Sequence, residues 1–165
     1  MTTPDPVSGQ IAYPARLVRQ ADAGYLISFR DVPEALTEGA TRAEAVAEGA
    51  DALTAALAGY VKAGHALPAA TRPRAGEEMI HADAGFTAKI ALRAGLIAEG
   101  LTPADLARRL GTDHKEARRL LDPDHPSKLD RLDLALRAIG YRTVLQVIPL
   151  TPRRGKIEKG AGKAA

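Results

Sequence analysis

The chain has 165 residues, 45% of them hydrophobic, and a formal net charge of +3, which is enough apolar material for one ordinary domain or two small ones. It contains no cysteine, so disulfides, thiolate metal sites and a cysteine nucleophile are excluded, and we expect a reducing cytoplasm. No apolar run approaches the roughly 20 residues of a membrane span, and the opening MTTPD lacks the basic and apolar regions of a signal peptide.

Positive charge is concentrated towards the C-terminus. Residues 1–75 carry 7 basic and 8 acidic side chains, residues 76–150 carry 11 of each, and residues 151–165 carry five basic side chains against one acid. A basic tail favours nucleic acid through phosphate contacts, but a solvated terminus explains it equally well. Charge alone therefore does not predict DNA binding.

The chain begins with the pattern of a β-hairpin. Two stretches with period-two alternation, residues 11–19 and 25–30, flank a turn at residues 20–24. In the second stretch Tyr25, Ile27 and Phe29 share one face, as a half-buried strand requires. A short third strand is expected at residues 35–37, before the next helix.

A long helix is predicted after these strands. Thr41 and Glu44 have the spacing of a capping box, in which the hydroxyl accepts from the amide three residues on and the glutamate reaches back to the cap amide. The helix should begin at Arg42 and stop at Gly64. Apolar residues at spacings of three and four would cover the sheet: Val46, Ala50, Leu53, Leu57, Tyr60 and Val61.

The remainder of the chain is predicted to be mostly helical. After a loop and a last strand at residues 78–81, we place a domain boundary near residue 84, and the first helix of the second half at residues 86–99. Thr102 caps the next helix, with Pro103 at the tolerated first position. Ser127 is expected to cap the last helix.

Two of these helices, on either side of Gly111, have the pattern of a helix-turn-helix. Gly111 tolerates the positive φ of a sharp turn, and Ala107 is small where the two helices approach. Thr112 or Asp113 caps the second helix. An ordinary helical hairpin meets fewer of these constraints, so we predict a DNA-binding helix-turn-helix in preference to a structural hairpin.

The second helix of this pair would enter the major groove, where its N-terminal and outward side chains meet base edges and phosphates. The candidate DNA-binding residues are Thr112, Asp113, His114, Lys115, Arg118 and Arg119. An ordinary solvated helix face is the alternative. The acids Asp113 and Glu116 would read a cytosine amine, orient a neighbouring arginine or point away from the DNA. The sequence does not distinguish these three roles.

Residues 141–150 are β-prone but have no local partner in the sequence. An unpaired strand favours a second chain, because its free backbone groups can form a ladder across an interface. We therefore expect this terminal strand to pair across the two-fold axis of a homodimer, which suits a palindromic operator.

Both halves together resemble the HicB family of antitoxins. The segments that carry the resemblance are FRDVP at 29–33, TEGAT at 37–41, EA at 44–45, LTPADLARRLG at 101–111 and LLDP at 120–123. The resemblance covers about residues 11–150. Glu34 stands where the family usually has glycine after the turn proline.

The resemblance implies an α+β chain with a ribonuclease-H-like β-β-β-α-β domain at residues 1–84. An all-α helix-turn-helix domain with a terminal strand follows at 85–150, and a basic tail at 151–165. It further implies an antitoxin that inhibits a HicA-type ribonuclease toxin and represses its own operon by binding double-stranded operator DNA, without a cofactor. As a hypothesis, the toxin contacts are Tyr25, Phe29, Asp31 and Glu34.

Two other functions are alternatives to this one, and the sequence argues against the first. A metal-dependent nuclease would need clustered carboxylates, but the acids lie in turns and on one helix, and the histidines form no close ligand pair, so we expect neither catalysis nor a metal site. The acids are Asp22, Asp31, Glu34, Glu44, Glu48 and Asp51, and the histidines are His65, His81, His114 and His125.

The second alternative is a stand-alone transcription regulator with a ligand-sensing first domain. A neighbouring toxin gene would argue against it.

Overall fold

The computed structural model describes residues 10–21 and 24–147. Asp22, the last three residues of the predicted terminal strand and the basic tail at 151–165 lie outside these residues. The elements are β1 (Ala12–Arg19), β2 (Tyr25–Phe29), β3 (Leu36–Gly39), α1 (Arg42–Lys62), β4 (Glu77–His81), α2 (Ala84–Ala98), α3 (Pro103–Leu110), α4 (His114–Leu121) and α5 (Leu129–Ala138). The β-β-β-α-β order of the first half and the helices of the second are confirmed, while kinship to ribonuclease H stays a prediction.

The four strands form one antiparallel sheet in the order β3-β2-β1-β4. Tyr13 of β1 pairs with Ile80 of β4, and Phe29 of β2 pairs with Ala15. All four side chains are buried in one cluster with the apolar face of α1. A Cβ at Gly49 of α1 would come within 2.6 Å of Ile27 Cδ1, so glycine lets the helix lie close to the sheet.

The N-terminus of α1 differs in one detail from the predicted capping box. Thr41 Oγ1 accepts from the Glu44 amide at 3.1 Å, as expected. The Glu44 carboxylate instead accepts from the amide of Ala40 at 3.0 Å, one residue before the cap. The glutamate therefore fixes the chain that enters the helix rather than the cap residue itself.

The predicted cap at Ser127 is wrong. α5 has Lys128 at its N-cap position and no side-chain cap hydrogen bond. The Ser127 hydroxyl instead accepts from Lys89 Nζ at 2.9 Å. A long-range contact has replaced the local one that the sequence suggested.

Two apolar clusters lie on either side of α2. Phe86 and Ile90 belong to the first cluster, with the sheet and α1. Ala88, Leu92 and Leu96 belong to the second, with α3, α4 and α5. The first core thus extends past residue 84, and α2 is a continuous helix shared by both cores.

Residues 141–147, the described part of the predicted terminal strand, form no strand within the single chain. Val144 and Val147 are 87% and 86% exposed. Their pairing with a second chain stays a prediction. None of the described helices is long and apolar enough to cross a membrane.

Candidate nucleic-acid interface

α3 and α4 are joined by a sharp three-residue turn. Gly111 ends α3 in the left-handed conformation, with φ 63° and ψ 34°, which a residue without a Cβ adopts at little cost. The Thr112 amide donates back to the Ala107 carbonyl at 3.0 Å. Asp113, the second of the two caps that the sequence allows, accepts from the Glu116 amide at 2.7 Å. Local hydrogen bonds therefore fix the turn on both sides.

One face of each helix in this pair is buried. Leu106 and Ala107 of α3 are at most 2% exposed, and so are Ala117 and Leu120 of α4. They share a cluster with Leu132 of α5. The two small alanines allow the helices to approach closely, as the sequence predicts. The opposite face of α4 is exposed to solvent.

That outer face carries most of the residues expected to contact DNA. Four exposed side chains line a shallow depression together with Asp122: His114, Lys115, Arg118 and Arg119. Thr112, which is half-buried, and Asp113 lie at the N-terminal end of the same helix. The structure thus places four of the six predicted residues on α4 and the other two in the turn that precedes it.

Two of the acids near this face are engaged elsewhere, while Asp122 lines the depression with the cations. Asp113 serves as the cap of α4, and Glu116 Oε1 forms an ion pair with Arg131 Nη2 of α5 at 3.4 Å. Glu116 therefore turns towards α5. Within residues 10–21 and 24–147, Lys115, Arg118 and Arg119 form no ion pair. Three cations without an ion pair therefore lie within five residues, with Asp122 in the same depression.

The arginines of α3 are bound, in contrast to those of α4. Arg108 forms an ion pair with Asp105, and Arg109 Nη1 donates to the Ala138 carbonyl at 3.0 Å. Side chains held by the protein itself are less available to a phosphate or a base. The free positive charge of this helix pair therefore lies mainly on α4.

The four residues expected to contact a toxin lie in different environments. Phe29 is 2% exposed in the first core, so its side chain offers no surface. Tyr25 is half-buried, and Glu34 is exposed, where it accepts from the Tyr60 hydroxyl at 3.0 Å. The Asp31 side chain is 8% exposed. Only Tyr25 and Glu34 present substantial side-chain surface.

Asp31 belongs to a polar network that sequence reasoning missed. Its carboxylate accepts from the Thr71 amide at 2.8 Å, while the neighbouring Arg30 forms an ion pair with Glu77 at 2.8 Å. Hydrogen bonds from the Arg30 guanidinium and the Arg74 amide lower the pKa of Glu77 to about 2. The network ties the loop before β4 to the turn after β2, across contacts 40 to 47 residues apart in sequence.

Among the described residues, no group of three or more His, Cys, Asp or Glu side chains could hold a metal ion. The acids weighed for a nuclease have separate contacts: Asp31 lies in the loop network and Glu44 at the start of α1. Glu48 and Asp51 are exposed on α1.

A family model and individual known proteins both match this chain, and all of them are HicB antitoxins. Residues 12–91 match a family model described as a HicB-like antitoxin of a bacterial toxin–antitoxin system. The chain is 32% identical over 136 residues to Antitoxin HicB of Escherichia coli K12, which covers 82% of this chain and 99% of that protein. It is 34% identical over 142 residues to Antitoxin HicB 2 of Photorhabdus laumondii, which covers 86% of this chain and all of that protein.

Proposed function

The chain belongs to the HicB family and has an antitoxin role in a toxin–antitoxin system, and we propose that it carries out this role in two ways. Its first half binds and inhibits a HicA-type ribonuclease toxin in the cytoplasm. Its second half binds operator DNA and represses the operon that encodes both proteins.

The exposed face of α4 carries the proposal of DNA binding. Lys115, Arg118 and Arg119 project from a helix that follows a tight, locally capped turn, and no acid of the described chain pairs with them. A recognition helix needs this combination, because a rigid backbone presents donors and the donors stay free for guanine edges and phosphates. The arginines of α3, by contrast, are held by Asp105 and by the Ala138 carbonyl.

A homodimer is part of the same proposal. Val144, Leu145 and Val147 are 67% to 87% exposed in a segment without a strand partner in the described chain. A matching segment from a second chain would cover these side chains and complete a ladder. Two copies of α4 would then read the two halves of a palindromic operator.

For the toxin contact, the turn after β2 is the best-supported region of the first half. Glu34 is exposed there, and Tyr25 lies at the other end of β2. Asp31 supports this surface by holding the loop before β4 in place. Phe29 contributes from the core, since its side chain is buried.

The DNA-binding proposal is tested by removing the exposed charges of α4. We expect the double variant Arg118→Ala, Arg119→Ala to bind the DNA immediately upstream of its coding sequence about tenfold more weakly or worse, since each base or phosphate contact is lost. Arg16→Ala, Arg19→Ala removes the same charge from exposed positions of β1 and is the matched control. An equal loss of DNA affinity in both variants would show that only the net charge of the protein matters, and not the face of α4.

The toxin proposal is tested by co-expression with the product of the neighbouring small open reading frame. Growth rescue and co-purification of the two proteins are expected, and Glu34→Lys should weaken both more than Glu48→Lys on α1. Neither rescue nor a complex with the intact chain would instead favour a regulator that responds to a ligand.

A further inference from the structure

The second half contains one deeply buried charge. Lys89 of α2 is 3% exposed, and no other charged residue of the described chain is as deeply buried. Its Nζ donates to the carbonyls of Arg119 at 3.0 Å and Asp122 at 2.7 Å, and to Ser127 Oγ at 2.9 Å. A lysine ammonium has three N–H donors. All three are therefore satisfied away from water.

A charge at this position is not the most favourable choice for stability alone. Burial lowers the pKa of Lys89, and the nearby Asp122 opposes that effect only in part. An apolar side chain of similar length would avoid the cost of removing an ammonium from water. The lysine is better explained by what its directional hydrogen bonds hold in place.

These hydrogen bonds hold the end of α4. The carbonyls of Arg119 and Asp122 lie at its C-terminus, where the helix dipole favours a cation. One turn further along α2, Arg93 Nη1 donates to the carbonyl of Leu121 at 3.2 Å. Two cations of α2 thus bind three carbonyls at one end of the helix that carries the candidate DNA contacts.

α4 is short enough to need such an anchor. It has eight residues and buries three side chains, Ala117, Leu120 and Leu121. Apolar packing opposes separation of the helices but is non-directional, so it fixes rotation about the helix axis weakly. Hydrogen bonds from Lys89 define that rotation, because they join fixed carbonyl positions to a fixed point on α2.

We propose that Lys89 is a positioning residue for DNA recognition: its ammonium fixes the orientation of α4 against α2, so that Lys115, Arg118 and Arg119 reach base edges together. This inference rests on the proposed DNA binding. Lys89 itself is buried and touches no DNA. Its loss should therefore reduce discrimination between sequences rather than general attraction to the duplex.

The test compares two duplexes of equal length: the DNA immediately upstream of the coding sequence, and a shuffled version of it. For full-length Lys89→Met we expect about a tenfold loss of affinity for the first duplex, as for lost hydrogen bonds to a charged group. Affinity for the shuffled duplex and its salt dependence should stay unchanged, because the surface charges are intact. A loss of folded protein would lower both affinities by the same factor.

A milder variant keeps the test decisive if Lys89→Met does not fold. Ser127→Ala removes one of the three acceptors, and we expect about a threefold loss of affinity for the upstream duplex alone. Ser28→Ala, at a half-buried position of β2, is the matched control and should bind both duplexes as the wild type does.

Unchanged discrimination between the two duplexes in folded Lys89→Met, or in Ser127→Ala, would overturn the role of Lys89. A wild-type protein that does not distinguish the two duplexes would overturn the proposed DNA binding itself.

Discussion

The sheet of the first half and the starts of α3 and α4 in the second half are fixed by contacts over different distances along the chain. In the first half, Arg30 reaches Glu77 across 47 residues, and β1 pairs with β4. In the second half, α3 and α4 begin with side chains that cap amides three residues on. Local hydrogen bonds make the helix starts of the second half easy to recognise in a sequence. The sheet contacts of the first half, like the Lys89 contacts of the second, form only once distant elements have come together.

The largest expected effect tests whether the two halves unfold together or independently of each other. Leu106→Ala empties a fully buried position of the second core and should lower the free energy of unfolding by about 2–5 kcal/mol. Because α2 belongs to both cores, we expect a single unfolding transition in urea, followed by circular dichroism and by tyrosine fluorescence. Two separate transitions would show that the halves are independent. Ile97→Ala, at an 81% exposed position of α2, is the control and should change stability little.

A smaller effect is expected from a local anchor of the second half. Thr102 Oγ1 accepts from the Asp105 amide, and the Asp105 carboxylate accepts from the Thr102 amide at 2.8 Å. Thr102→Ala should therefore cost about 1 kcal/mol of unfolding free energy. Thr102→Ser keeps the hydroxyl and should restore most of it. A loss as large as that of Leu106→Ala would contradict the purely local role of this cap.

The smallest effect concerns the long-range anchor of the first half, because the Arg30–Glu77 pair is partly screened by solvent. The pKa of Glu77 falls from 4.5 to about 2 on folding. A lowered folded-state pKa contributes stability above pH 4.5 that is lost as the pH falls towards 2. Urea midpoints measured between pH 5 and 2 should therefore fall less steeply for Glu77→Gln than for the wild type. Glu48→Gln, at an exposed position of α1, is the control and should follow the wild type. If its midpoints fell as gradually with pH as those of Glu77→Gln, the pH dependence could not be assigned to Glu77.

The order of the elements and most of their bounds could be predicted, because they depend on period and on nearby caps. The start of α1 at Arg42 and the turn at Gly111 are examples. The same period-two pattern places Phe29 on the core face with Ile27, where both are buried, and this argues against a surface contact for Phe29.

Other features could not be predicted from one sequence. The contact of Ser127 with Lys89 depends on how α2 meets the loop after α4, and 38 residues separate the two side chains. A serine before a helix fits a cap equally well in isolation. The Asp31 contact with Thr71 has the same origin, since no spacing rule links residues in two loops 40 positions apart.

The continuity of α2 limits how the length of this chain can change. Each residue of an α-helix advances about 1.5 Å and turns by about 100°. One residue inserted between Ile90 and Leu92 would therefore turn the second core away from the first and expose side chains that now lie in it. Insertions and deletions are therefore expected to avoid this helix, because a shift of one residue would separate the two apolar clusters that it joins.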